Sequence, residues 1–128
     1  NSEIELGILQ YIGAFLWMIG FYFEAVGDSQ MMRFKAEEAN KGKLMNRGLW
    51  KYTRHPNYFG EALLWCGFGV YSFTAETWWL SLIGPAVITF FLLKVSGVAL
   101  LERKYDGNSK YDEYKRITNS FIPWFPKK

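Results

Sequence analysis

The 128-residue chain has one cysteine, Cys66, and one histidine, His55. A lone cysteine excludes a disulfide-stapled scaffold. One His and one Cys argue against a zinc site built from those ligands, and no metal is expected. Linkers rich in Gly, Pro or Ser, low-complexity tracts and internal repeats are absent. So are the GxGxxG, P-loop, GxSxG and HExxH patterns, which excludes a soluble dinucleotide-binding sheet domain. A nucleotide bound here would have to lie among helices. At 15.0 kDa the chain has room for one domain.

Charge is also missing over long stretches. Positions 6–23, 62–75 and 77–93 carry none. Half of all residues are apolar and 20% are aromatic, which excludes intrinsic disorder. A bilayer core asks for about 20 mostly apolar residues per helix. A soluble domain of this size lacks the polar surface to cover three such helices. The expectation is therefore all-α: an integral membrane bundle with spans near 4–27, 58–75 and 78–101, plus a cytoplasmic amphipathic loop and tail.

The basic residues support one topology. Seven of the fifteen Lys and Arg lie between Arg33 and Arg54, and seven lie from Arg103 onward. Basic segments stay cytoplasmic, so the 28–57 loop and the C-terminus are expected on that side. Trp78, Trp79 and Trp124 suit an interfacial aromatic belt. The chain begins with Asn1, not Met, and is expected to be the C-terminal part of a longer membrane protein.

Ionisable groups in or near the spans mark a candidate site, because charge in hydrocarbon is costly. Glu24 and Asp28 are four apart and share a helical face, which continues to Met32 and Lys35. Asn57 and Glu61 share a face of the second span. Lys94 stands near the cytoplasmic end of the third, where it would neutralise Glu61 or Glu24, or snorkel to the interface. These groups are expected to converge on one polar pocket. Pro56 suits the first turn of a helix whose free amides, with Lys51 and Arg54, would make a phosphate corner. His55 alone reads more simply as a structural histidine. In the tail, Tyr105, Tyr111 and Tyr114 alternate with Lys110, Lys115 and Arg116. Such a pattern clamps an adenine and its phosphates, or lies as an amphipathic helix on anionic lipid. Nucleic acid is not expected as a partner: the net charge is only +3.

The run Gly48-Leu49-Trp50-Lys51-Tyr52-Thr53-Arg54-His55-Pro56-Asn57-Tyr58-Phe59-Gly60-Glu61 resembles the signature of the steroid 5-alpha-reductase-like membrane proteins. Closest is the bacterial branch known as DUF1295. The segment 23–35, the run Lys94-Val95-Ser96-Gly97-Val98 and the ending 111–124 are similar to the same family. The resemblance implies an integral membrane reductase, in the bacterial inner membrane by its closer branch. Such enzymes use NADPH to saturate a carbon–carbon double bond of a steroid or other lipid. Carried over by motif, Asn57 and Glu61 lie near the nicotinamide, and Asp28 with Glu24 borders the same cofactor. Arg54 and His55 help hold it, and Lys35 stands where the family often has a basic group for the phosphates. Glu24 departs from relatives that carry an amide there. Tyr58 and Glu61 are the candidates to stabilise charge on the substrate carbonyl and to supply a proton. The substrate-contacting groups of the family lie largely in N-terminal helices, so this fragment alone is expected to be inactive. Two other readings stay open. In a membrane methyltransferase using S-adenosylmethionine, Glu102, Tyr111 and Tyr114 would serve the cofactor. The other is a lipid-binding subunit without chemistry.

Overall fold

A computed structural model describes residues 7–95 and 97–128. Five α-helices carry the chain: α1 (Ile8–Ala36), α2 (Pro56–Tyr71), α3 (Trp78–Phe90), α4 (Val98–Arg103) and α5 (Ser109–Ile117). A π turn over Phe91–Val95 continues α3, and short 3-10 turns occupy Glu38–Asn40 and Gly48–Lys51. There is no strand among the described residues.

The expected all-helical membrane architecture holds. Ile8–Ala36 and the run Trp78–Arg103 are long and apolar enough to cross a membrane. Only 11% and 18% of their most apolar windows are buried inside the chain. A soluble core helix would be mostly buried. Here large apolar side chains such as Phe15, Phe21, Leu82 and Phe90 point outward, as lipid-facing side chains do.

The helix ends differ from the expected span ends. Positions 4–6 of the first expected span lie outside the described residues. α1 then continues unbroken to Ala36, so Asp28 sits within the helix with Glu24 and not in the expected 28–57 loop. The run of charges beginning at Arg33 marks where an apolar layer ends, but Lys, Arg, Met and Ala remain good helix formers. α2 has 16 residues, a length of about 24 Å, against roughly 30 Å of hydrocarbon. The third expected span is interrupted. Pro85 lies inside α3, and the helix widens into the π turn before Gly97.

α1 and α2 are antiparallel and meet along a glycine seam. A Cβ on Gly20 would stand 2.5 Å from Leu64 N and 2.6 Å from Gly60 O. One on Gly13 would stand 2.5 Å from Tyr71 N, and one on Gly67 2.6 Å from Trp17 N. Gly27 completes the seam against Pro56 and Asn57. Hydrocarbon gives apolar faces no reason to associate, so membrane helices rely on close backbone packing at small residues. The charge pattern does not reveal this seam. Gly13, Gly20 and Gly27 recur every seven residues, as do Gly60 and Gly67, but that spacing does not say which faces meet.

At the polar end of α1 a small core forms from Phe34, Met45 and Trp50. Trp50 Nε1 donates to Gly27 O at 3.0 Å, and Leu49 N donates to Gln30 Oε1 at 3.0 Å. The loop after α1 is thereby folded back on it. α5 lies across this loop with Tyr111 and Tyr114 inward and its charged residues outward.

Candidate functional site

The segment from Thr53 to Glu61 joins two polar groups. His55 caps α2 in a non-helical conformation, and Pro56 takes the first helical position. Thr53 Oγ1 accepts from His55 N at 3.2 Å and donates to Phe121 O at 2.7 Å, so the turn is tied to the tail.

The first group lies between α1 and α2. Asn57 Nδ2 donates to Asp28 Oδ1 at 2.9 Å. Glu61 and Asp28 are the carboxylates near enough to act on Glu24, and the same two act on Tyr58. The convergence expected from the two i,i+4 pairs is therefore present, and the glycine seam produces it. With Gly27 against Asn57 and Gly20 against Gly60, the faces bearing these side chains oppose each other. Lys94 does not join them. It is exposed in the π turn and has no ion pair among the described residues.

The second group centres on Glu102, which the sequence suggested only for a methyltransferase. Its Oε2 accepts from Arg54 Nη1, from His55 Nε2 at 3.1 Å and from Tyr111 OH at 3.0 Å. The side chains of Arg54, His55 and Glu102 are 10%, 1% and 16% exposed. Arg54 Nε also donates to Thr118 O at 3.2 Å. Such charge-assisted bonds are strong where water is scarce. With Nε2–H on Glu102, His55 Nδ1 is a buried acceptor without a partner among the described residues. The ring stacks on Tyr58 with centroids 5.5 Å apart. His55 is thus a buried structural group that links Glu102 to α2.

Beside Arg54 opens a cavity of about 550 Å³. Lys35, Lys41 and Lys43 line it with Arg54, beside the carboxylates of Glu37 and Glu38, and Tyr105, Tyr111 and Tyr114 form an aromatic side. The tyrosine hydroxyls are engaged by the protein. Tyr111 holds Glu102, while Tyr114 OH donates to Trp50 O and Thr53 O. Burial pushes both phenols well above their ordinary range, so they remain neutral donors. Tyr105 and Tyr111 stack on one another at 4.4 Å, so they do not sandwich a base between them.

Two expectations need correction. Arg116 does not reach the cavity; it is exposed and pairs with Glu113 at 2.6 Å. Its place on the outer face of α5 follows from the inward turn of Tyr111 and Tyr114. The amide corner at the α2 N-terminus is also closed. Tyr58 N is satisfied by Asn57 Oδ1 at 3.0 Å, Gly27 packs against Pro56, and Lys51 Nζ stands over the Tyr52 ring.

The buried histidine carries a pH prediction. Burial holds its imidazole below the ordinary 6.5; the hydrogen bond and charge of Glu102 oppose this, and Arg54 adds to it. The unfolded chain therefore takes up a proton first as pH falls. Stability is full above 6.5 and declines as pH drops through the folded value, by at most about 1.4 kcal/mol per pH unit. Melting in detergent at pH 7.5 and 5.5 checks this. The acid-induced loss is expected to shrink in His55→Asn, and an equal loss in both proteins would assign it to another group.

Known sequences match the chain as follows. The profile of DUF1295, described as a protein of unknown function, matches residues 1–118. The 3-oxo-5-alpha-steroid 4-dehydrogenase 1 of Bos taurus is 28% identical over 112 residues, 88% of this chain and 40% of the relative. Steroid 5-alpha-reductase DET2 of Arabidopsis thaliana is 31% identical over 117 residues, 88% of this chain and 40% of the relative. The very-long-chain enoyl-CoA reductase of Dictyostelium discoideum is 28% identical over 112 residues, 88% of this chain and 36% of the relative. The chain thus spans about two fifths of the length of these relatives. No solved structure matches it. A helical membrane bundle carries the 48–61 signature at the meeting point of its polar groups, the family profile covers nearly the whole sequence, and the chain belongs to the DUF1295 family.

Proposed function

We propose that this chain is the cofactor-binding part of a membrane reductase that saturates a carbon–carbon double bond conjugated to a carbonyl in a lipid or steroid-like substrate. One observation carries the reading. The signature segment brings Asn57 to Asp28, with Glu24 and Glu61 near by, and its Arg54 lines a cavity with Lys35, Lys41 and Lys43. The relatives' names support it, since a 3-oxo-steroid 4-dehydrogenase and an enoyl-CoA reductase both act on a double bond near an oxo group.

The residues fit NADPH by their chemistry. Lys35, Lys41, Lys43 and Arg54 suit its phosphates, and the tyrosine rings offer an apolar wall to a base. When bound, NADPH supplies the hydride. Asn57, oriented by Asp28, binds and aligns an amide. Tyr58 and Glu61 stand next to that amide site, where charge develops on a carbonyl oxygen during reduction. Arg54 donates to phosphate while Glu102 fixes its direction. Helices outside this chain complete the substrate chamber, and membrane lipids surround the spans. The 37–55 loop and the C-terminus face the cytoplasm of a bacterial inner membrane in this proposal.

A second reading has one observation in its favour. Glu102, Tyr111 and Tyr114, the residues a methyltransferase would use, do meet beside the cavity. Thermal stabilisation of the full-length protein by NADPH and by S-adenosylmethionine separates the two. NADPH is expected to stabilise by about 2.7 kcal/mol at a hundredfold excess over Kd. Asn57→Ala should weaken that shift, and Glu61→Gln should abolish turnover without unfolding the protein. A shift with S-adenosylmethionine alone would overturn the reductase.

A further inference from the structure

The end of the chain presents its apolar residues outward while its backbone is held in place. Ile122, Trp124 and Phe125 are 66%, 66% and 69% exposed. The backbone beneath them is tied down at four points. Arg54 N donates to Asn119 O at 2.9 Å, Thr53 Oγ1 to Phe121 O at 2.7 Å, Trp124 N to Tyr52 O at 3.0 Å and Lys127 N to Ile117 O at 2.8 Å. This is an ordered strap, not a free end. Pro123 and Pro126 keep it from turning helical.

Its depth is set by a ring contact. Phe121 packs on Phe59, in the first turn of α2, at 5.8 Å. The strap therefore lies at the level where α2 leaves the polar region. Its composition matches that level. Phe125 meets Tyr52 at 6.0 Å, and Lys51 Nζ stands over Tyr52 at 5.8 Å. From Tyr114 to Lys128 the chain has four cationic residues and no acid; Arg116 pairs with Glu113, which leaves Lys115, Lys127 and Lys128. An aromatic patch with cations around it, at a helix end, matches the boundary between acyl chains and headgroups. Aromatic rings settle there, lysine stems reach phosphate, and anionic lipid adds attraction.

We propose that residues 121–128 are an in-plane membrane anchor that seats on a leaflet containing anionic lipid. The anchor is independent of the reductase reading. The residues just before it hold Arg54, whose N and Nε donate to Asn119 O and Thr118 O, so the anchor is continuous with the cavity wall.

The test uses full-length protein in vesicles of phosphatidylcholine alone or with phosphatidylglycerol, without cofactor. A polarity-sensitive fluorophore is placed at Ile122→Cys on a background lacking other cysteines. Blue-shifted emission, quenching by a shallow lipid-borne quencher and severalfold weaker quenching by aqueous iodide are expected. Phosphatidylglycerol should strengthen the protection, and high salt or the pair Lys127→Gln and Lys128→Gln should weaken it. A decrease in the lipid-quenched part of tryptophan emission in Trp124→Phe, with the share of Trp78 and Trp79 remaining, gives a label-free check. Free access of iodide in both vesicles would overturn the anchor. So would protection that grows with protein concentration and ignores lipid, which would mean a second copy covers the patch. Lipid burial without charge dependence would overturn its anionic requirement.

Discussion

Gly60→Leu is expected to break the α1–α2 pair. A Cβ at Gly60 would stand 2.5 Å from Gly20 O and 2.9 Å from Phe23 Cβ. Ordinary carbon contacts need about 3.5 Å or more. The obstacle is backbone and cannot rotate away, so the helices must part by about 1 Å. The cost expected from such overpacking is about 3 kcal/mol. The separation would also part Asn57 from Asp28, which bond across the same interface. The melting temperature in detergent should fall by several degrees. Phe15→Leu, on the outer face of α1, should leave it unchanged, because Phe15 is 62% exposed. A Gly60→Leu protein that melts with the wild type would show that the helices do not approach as described.

Glu102→Ala should have the next largest effect, by a different mechanism. Removing one partner of a largely buried ion pair leaves the other charge without compensation, at about 3 kcal/mol. Arg54 would retain only Thr118 O, and His55 Nε2 would lose its acceptor. Glu102→Gln keeps an acceptor and loses the charge, so its loss should be smaller. Tyr111→Phe removes a single hydrogen bond to the same carboxylate and should cost about 1 kcal/mol. Chemical denaturation of the three variants checks the order. If Glu102→Ala costs no more than Tyr111→Phe, the carboxylate is not the hub.

Both predictions rest on features the local pattern did not expose. The site residues on α1 and α2 were legible, because an i,i+4 spacing puts Glu24 with Asp28 and Asn57 with Glu61 on any helix. Glu102 was not. Its partners lie 48, 47 and 9 residues away, and no periodicity connects α4 with the turn before α2. Tyr111 and Tyr114 were legible as a pair on one face. Their hydroxyls turned out to bind protein, which makes their rings a wall and their oxygens struts. Arg116 falls on the opposite face of the same short helix, where Glu113 meets it.

By itself the sequence determined the class of protein. Charge-free stretches approaching the thickness of a bilayer, with one basic segment after the first and another after the last, admit helices in lipid and little else, because a backbone in hydrocarbon must satisfy its own hydrogen bonds. The fourteen-residue signature likewise identified the family without coordinates. Tertiary structure decided what each polar residue touches. Helix ends outlast the apolar runs, as α1 does to Ala36, because helix formation tolerates charge where lipid does not. The approach of α1 to α2, the Glu102 hub and the pinned tail depend on backbones and side chains distant in sequence. Those contacts are set by packing in three dimensions, which local spacing does not encode.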